Sequence, residues 1–287
     1  MDGITQAEAI AVAPLAGGER ACFFTAGRFD GLECLTATFH THRYARHTHD
    51  TYVIGGVVAG CETFMVRGCR RYIGPGDLAF VHPHDVHDGE PHGDGYCYRM
   101  TYPTVALLQG VAAEVSGDAL SGVPFFTEPV VRDPQGVALF VQAHQALEAP
   151  QDTLAADELL SRVYARCLVR HARIAPRFVG REPGPVARAK ALLAQRYAED
   201  LPLAVLAAEA GLSPHHLIRA FRRETGLTPH AWLINLRVDA AKARLRCGEA
   251  PAAVASATGF CDQAHLTRAF KARIGVTPGV YRAAVAA

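Results

Sequence analysis

Along residues 20–105 the apolar positions come in short runs rich in Val, Thr, Tyr and Phe. They are punctuated by Gly17-Gly18, Gly55-Gly56, Gly60, Gly68, Gly74-Pro75-Gly76 and Gly93-Asp94-Gly95. Many short strands at that spacing predict an antiparallel sandwich or barrel. Alternation puts Tyr96, Tyr98, Met100 and Tyr102 of YCYRMTY on one face and turns Arg99 outward. From residue 136 the period lengthens: GVALFVQAHQALEA and DTLAADELLSRVYARCLVRHA carry apolar residues at i, i+3 and i+4, which predicts two helices. IAPRFVGREPGP (174–185), with three Pro and two Gly, breaks the pattern and reads as a linker. The pattern therefore divides the chain into an all-β unit with its helices (1–135 and 136–173), a linker (174–185) and an all-α unit (186–287).

The helical half repeats itself. AVLAAEAGLSPHHLIRAFRRETGLTP (204–229) returns as AVASATGFCDQAHLTRAFKARIGVTP (253–278). Leu217, Phe221, Gly226 and Thr228-Pro229 recur 49 residues later, and Gly211 recurs 48 later as Gly259. Each unit is a short Ala-rich helix, a Gly turn and an amphipathic helix, the helix-turn-helix layout. Ser213 and Asp262 stand where the second helix of each unit needs an N-terminal acceptor. With Leu217 and Phe221 inward, His215, Ile218, Arg219 and Arg222 face out. With Leu266, Phe270 and Ile274 inward, Gln263, Ala264, Thr267, Arg268 and Lys271 face out. Arg, Gln and His on such a face donate to base edges in a major groove, while Arg223, Lys242, Arg244 and Arg246 suit phosphates.

Charge sharpens this picture. Residues 183–287 carry 14 Lys+Arg against 7 Asp+Glu, a balance of +7, and the remainder carries 15 against 21, a balance of −6. A basic domain joined to an acidic one points to a polyanion partner for the first alone. A nonspecific DNA-packaging protein fits poorly with a net charge of +1 and a separate β-unit. The first twenty residues do not read as a signal peptide, and no apolar run is long enough for a membrane span, so a cytoplasmic location is expected. The eight cysteines form no C-x-x-C pair and are expected to be free and mostly buried.

RVDAAKARLRCGEAPAAVASATGFCDQAHLTRAFKARIGVTPGVYR resembles the signature of the AraC-type transcription regulators. The residues that carry it are Arg237, Ala241, Arg244, Leu245, Gly259, Phe260, Asp262, Gln263, Arg268, Phe270, Lys271, Gly275, Thr277, Pro278, Tyr281 and Arg282. Leu266 departs from it, standing where the family often has Phe. The resemblance implies two helix-turn-helix units joined by one long helix, here about 229–247 and anchored by Trp232, that enter successive major grooves of double-stranded DNA. By position it makes His215, Ile218 and Arg219 the base-edge residues of the first recognition helix, and Gln263, Ala264, Thr267 and Arg268 those of the second. It further implies a small-molecule effector, a homodimer formed by the helices at 136–173, and activation through RNA polymerase, with no enzymatic step.

Eight of the 14 histidines lie between residues 40 and 92. On a strand, His47-x-His49 would share a face with Thr51. Gly74-Pro75-Gly76-Asp77 followed by Pro83 and His87 resembles the second motif of the cupin barrel. In metal-binding cupins an H-x-H pair, a Glu and a distal His form the metal site. Here Tyr52, Val53 and Ile54 occupy the Glu position, leaving His47, His49 and His87 as a three-His alternative for Zn²⁺ or Fe²⁺. The cupin-like barrel of AraC-type regulators usually holds an organic effector without metal. His47, His49, His87, Tyr98 and Met100 are accordingly the expected effector contacts, and a metal-binding cupin, either a metal sensor or a metal-dependent enzyme, fused to a DNA-binding domain is the alternative. His40, His42, His82, His84 and His92 read as surface or turn residues.

Overall fold

Among the described residues, eight strands run antiparallel in one sheet: β1 (Arg20–Ala26), β2 (Leu32–Phe39), β3 (Tyr44–His47), β4 (Val53–Val66), β5 (Cys69–Ile73), β6 (Asp77–Val81), β7 (His87–Tyr102) and β8 (Val130–Arg132). The computed structural model describes residues 17–117, 122–148, 152–175, 183–274 and 276–285. The strand order is β1-β2-β7-β4-β6-β8, with β3 paired to β7 and β5 to β4. The sixteen-residue β7 pairs with β2, β3 and β4, so its alternate side chains are the spine of the inner core. That core joins Leu35, Phe39, Val57, Phe64, Val66, Ile73, Tyr96, Tyr98, Met100 and Tyr102. At Gly55 the backbone of β4 passes so close to Arg99 and Met100 of β7 that any Cβ would collide with them.

The opposite face of the sheet carries helix α2 (Pro134–Glu148), preceded by a helix the periodicity did not predict, α1 (Val105–Ser116). Arg99 points to that side as its parity requires, yet it is not turned to solvent. Its guanidinium donates to Thr36 Oγ1 (3.1 Å), contacts His144 Nδ1 (2.9 Å) and pairs with Glu148 (2.8 Å). A charge on the outer face is sheltered here because α2 brings its own polar residues to meet it.

Helix α3 (Thr153–His171) contributes to two units, residues 1–148 with 159–177 and residues 149–158 with 178–287. In the β-unit, Tyr164 Oη donates to Thr101 (3.0 Å), and Arg166 and His171 converge on the buried Asp133 (2.6 and 3.1 Å). Its expected apolar stripe is used within the chain: Leu160, Val163 and Cys167 are buried, while Leu159 and Val169 are half-buried.

The helical unit comprises α4 (Pro183–Gln195), α5 (Leu203–Ala210), α6 (Pro214–Thr225), α7 (Pro229–Arg246), α8 (Pro251–Ala257), α9 (Gln263–Ile274) and α10 (Pro278–Val285). Pro183 to Pro185, expected in the linker, open α4, because a proline in the first turn of a helix lacks only an N–H that would be unpaired anyway. The middle of that linker, 176–182, lies outside the described residues. The first turn of α3 belongs to this unit rather than to the linking helices. Asp157 accepts the Leu203 N–H at the start of α5 (2.9 Å), and Glu158 accepts the His230 N–H at the start of α7. Carboxylates at two helix N-termini meet unpaired N–H groups and the positive end of each dipole.

Two cores flank α7. Leu233 joins Leu206, Leu217 and Phe221 on one side, and Ile234, Val238, Ala241 and Leu245 join Leu266 and Phe270 on the other. Trp232 packs edge-on against Phe221, with centroids 6.0 Å apart. Gly259, at φ +80, turns α8 into α9, and a Cβ there would lie 2.6 Å from the carbonyl oxygen of Ala198.

All eight thiols are free, but only Cys34 and Cys167 are buried; Cys22, Cys69, Cys247 and Cys261 are exposed. The expectation of mostly buried thiols is corrected.

Candidate functional sites: a histidine-lined cavity and two recognition helices

In the β-unit a cavity of about 450 Å³, its open mouth included, is lined by residues of four strands, β3, β4, β6 and β7, and the β3–β4 loop. Val53, Phe64, Ala79, Val81 and Met100 make its apolar wall, and Tyr44, Tyr98, Tyr102, Glu62, Asp88 and the three histidines 47, 49 and 87 its polar one. The Tyr44 and Tyr98 phenol oxygens lie 2.8 Å apart. All five expected effector residues are gathered here.

The H-x-H pair is not held by strand parity as anticipated. β3 ends at His47, and His49 lies in the loop beyond it. Their Nε2 atoms nonetheless meet at 3.1 Å. His87, at the start of β7, pairs with His47 across the sheet, and the two ring centroids are 4.3 Å apart. Ligand atoms of the three rings all lie within 4.8 Å of one another. Burial pushes His47 below its ordinary value. Burial and then the neighbouring His47 push His87 down to about 4, so both rings stay neutral at pH 7.

Sequence reasoning missed three polar cavity residues, Tyr44, Asp88 and the most deeply buried of them, Glu62. It is 7% exposed, and burial pushes its carboxyl up to about 8. Tyr52, Val53 and Ile54 stand where metal-binding cupins have a Glu, yet β4 brings a carboxyl to the same cavity from thirteen residues beyond His49. Its visible sign is a charged residue in register with Phe64 and Val66 on an apolar face.

Two histidines expected at the surface are buried. His42 packs at a tilt against Phe39, with centroids 4.6 Å apart. His82 lies beneath Phe125, contacts Arg67 and accepts the Phe126 N–H at 2.9 Å. His84, at φ +64, and the exposed His40 and His92 match the turn or surface reading.

In the helical unit the second recognition helix, α9, presents Gln263, Ala264, Arg268 and Lys271 to solvent, with Thr267 half-buried and donating to the Gln263 carbonyl (2.8 Å). Asp262 caps it by accepting the His265 N–H at 2.6 Å. On α6, capped by Ser213, Arg219 is half-buried and Arg222 exposed. Ile218 is not on the outer face. It is 3% exposed and packed into the core beside Leu217 and Phe221, so it cannot touch a base edge without unpacking the helix. His215 is half-buried, and burial with the adjacent Arg219 pushes it down to about 4, leaving a neutral ring. Among the described residues, no helix is long and apolar enough to cross a membrane.

Comparison with known proteins places names on both units. A family model for an AraC-like ligand binding domain matches residues 30–163, and one for a helix-turn-helix domain matches residues 206–284. YbfI, an uncharacterised HTH-type transcriptional regulator of Bacillus subtilis (strain 168), is 30% identical over 210 residues, 72% of this chain and 75% of the relative. The crystal structure of the DNA-binding domain of AdpA, a global transcriptional factor, in complex with a target DNA is similar to 35% of this chain and 91% of that one, at 34% identity and a TM-score of 0.34. A probable AraC family transcriptional regulator from Rhodopseudomonas palustris CGA009 matches 35% of this chain and 96% of its own, at 22% identity and a TM-score of 0.34.

Proposed function

The chain belongs to the AraC-type transcription regulators, DNA-binding proteins and not enzymes, and on that premise we propose that its affinity or choice of DNA site is set by a small polar molecule held in the histidine-lined cavity. One observation carries this: three imidazoles, three phenols and two carboxyls converge with five apolar side chains on one cavity inside the ligand-binding unit. Polar groups that converge beside an apolar wall orient a small ligand. An oxygen-rich effector, a carboxylate or an amino acid, matches these donors. Its binding shifts the population of two arrangements of the protein and so alters DNA occupancy. Activation through RNA polymerase is the mode we assign, acting from a homodimer. Because the apolar stripe of α3 is buried within the chain, such a dimer would use another face.

DNA is read by α6 and α9, through Arg219, Arg222, Gln263, Thr267, Arg268 and Lys271. Arg268→Ala is expected to cost about 1–3 kcal/mol on the preferred duplex and to relax preference at one base pair. Affinities of full-length protein for a duplex recovered by selection, and for each single-base variant of it, measure this at several salt concentrations. A loss that is uniform across all sequences would make Arg268 a phosphate contact. Repeating the titration with carboxylates and amino acids tests the cavity. A compound that shifts DNA affinity in wild type and not in Tyr98→Phe supports control from the cavity, and one that acts equally on both argues against it.

A further inference from the structure

We propose that His47, His49 and His87 hold a divalent first-row transition-metal ion at the wall of the cavity, leaving a coordination position open for an oxygen donor of the effector. The use of that ion rests on the reading of the cavity as the effector site; its presence does not.

The geometry is that of a site rather than of three packed rings. Zn–N bonds of about 2.0–2.1 Å place two imidazole nitrogens on one ion about 2.9–3.4 Å apart for bond angles from square to tetrahedral. His47 Nε2 and His49 Nε2 are already 3.1 Å apart. The third ring is within reach, since the set of three ligand atoms spans no more than 4.8 Å.

The far side of two rings is fixed for the same purpose. His47 Nδ1 lies 2.7 Å from the Ala45 carbonyl oxygen, and His87 Nδ1 lies 2.9 Å from that of Asp85. A carbonyl can only accept, so each Nδ1 carries the proton and each Nε2 carries a lone pair. Backbone carbonyls that lock the outer nitrogen of a ligating histidine are the usual support of a metal site. An ion replaces the single His47–His49 contact with bonds to all three rings.

Donor type narrows the ion. Neutral imidazoles suit Zn²⁺, Fe²⁺, Co²⁺, Ni²⁺ or Cu²⁺, whereas Mg²⁺ and Ca²⁺ take oxygen ligands. Three protein ligands leave at least one position open, and the remaining polar wall, Tyr44, Tyr98, Tyr102, Glu62 and Asp88, faces the same space. A carboxylate or hydroxy acid would then bind through its oxygens to the ion and through its remainder to the apolar wall.

The test is titration of full-length protein, stripped with a chelator and then freed of it, with Co²⁺ alone. Expected are one bound equivalent with the visible ligand-field absorption of a nitrogen-ligated ion, and its displacement by Zn²⁺. His49→Ala, and separately the milder His47→Gln and His87→Gln, should weaken binding by more than the roughly 10–100-fold that loss of an orienting partner costs. Exposed His84→Ala should leave it unchanged. No stoichiometric Co²⁺, or one equivalent that survives in the His47/His49/His87 variants, overturns the assignment. DNA affinity measured on the same preparations separates the two readings: absent metal with intact DNA binding removes the ion and leaves the regulator.

Discussion

Glu62→Gln is expected to stabilise the metal-free β-unit by about 2–4 kcal/mol at pH 7 and to flatten part of its stability–pH profile. The carboxyl is buried, with its pKa raised to about 8, whereas an unfolded glutamate titrates near about 4.3. Between these values the folded state holds a proton that the unfolded state has released. Stability is therefore highest below about pH 4.3, falls as pH rises toward 8, and is level above it. At pH 7 the gap is about 2.7 pH units at about 1.4 kcal/mol each, which sets the upper part of the range. Gln keeps the shape of the protonated acid and removes the titration. His87, depressed to about 4, produces a slope of opposite sign between about 4 and 6.5, so the wild-type minus Glu62→Gln difference isolates the glutamate. Urea unfolding followed by tyrosine near-ultraviolet circular dichroism at several pH values measures it. A destabilised variant, or an unchanged slope from pH 4.5 to 8, would show that Glu62 is ionised and paired in the folded protein.

Arg237→Ala is expected to destabilise the helical unit by about 3–4 kcal/mol. Arg237 is 3% exposed, and its guanidinium donates to the carbonyls of Tyr197 (2.7 Å) and Glu199 (2.8 Å) in the segment after α4. Hydrogen bonds from a charged donor contribute about 1.5–3 kcal/mol each, and truncation also leaves two carbonyls short of a partner. Lys should recover less than half, because a single ammonium cannot fork to both oxygens. Trp232 is the single tryptophan and packs inside this unit, so its fluorescence during urea unfolding reports the unit directly. Equal stability of wild type and Arg237→Ala would mean that water satisfies these carbonyls and that the residue matters for another reason.

The helical unit was legible because its repeat is written twice, with turn glycines, caps and core residues at constant offsets. Both N-caps and both core pairs fall where the repeat puts them, and α7 runs close to the 229–247 that the family resemblance implied. Ile218 escaped because α6 is packed over a wider arc than a two-residue stripe describes, so the neighbour of Leu217 is also inside. The cavity was legible in its histidines and in the parity of β7, a regular strand. Glu62 was not, because β4 changes register between Val57 and Ala59 and again between Gly60 and Cys61. Val53 and Val57 line the inner side at odd positions, but after those irregularities Glu62, Phe64 and Val66 do so at even ones. Counting from the start of the strand turns the carboxylate outward. His82 was misplaced for another reason: its cover comes from Phe125 and Phe126, in a segment without any period to read.

We propose that these elements combine into a protein that reads DNA twice from one chain. The most direct test is a hydroxyl-radical footprint of full-length protein on a selected duplex, compared with Arg219→Ala and Arg268→Ala. The expected result is, for each bound protomer, a pair of protected stretches about one helical turn, roughly 34 Å, apart, with one of the pair weakened by each substitution. A single protected stretch, or two substitutions that weaken the same one, would contradict the paired recognition helices.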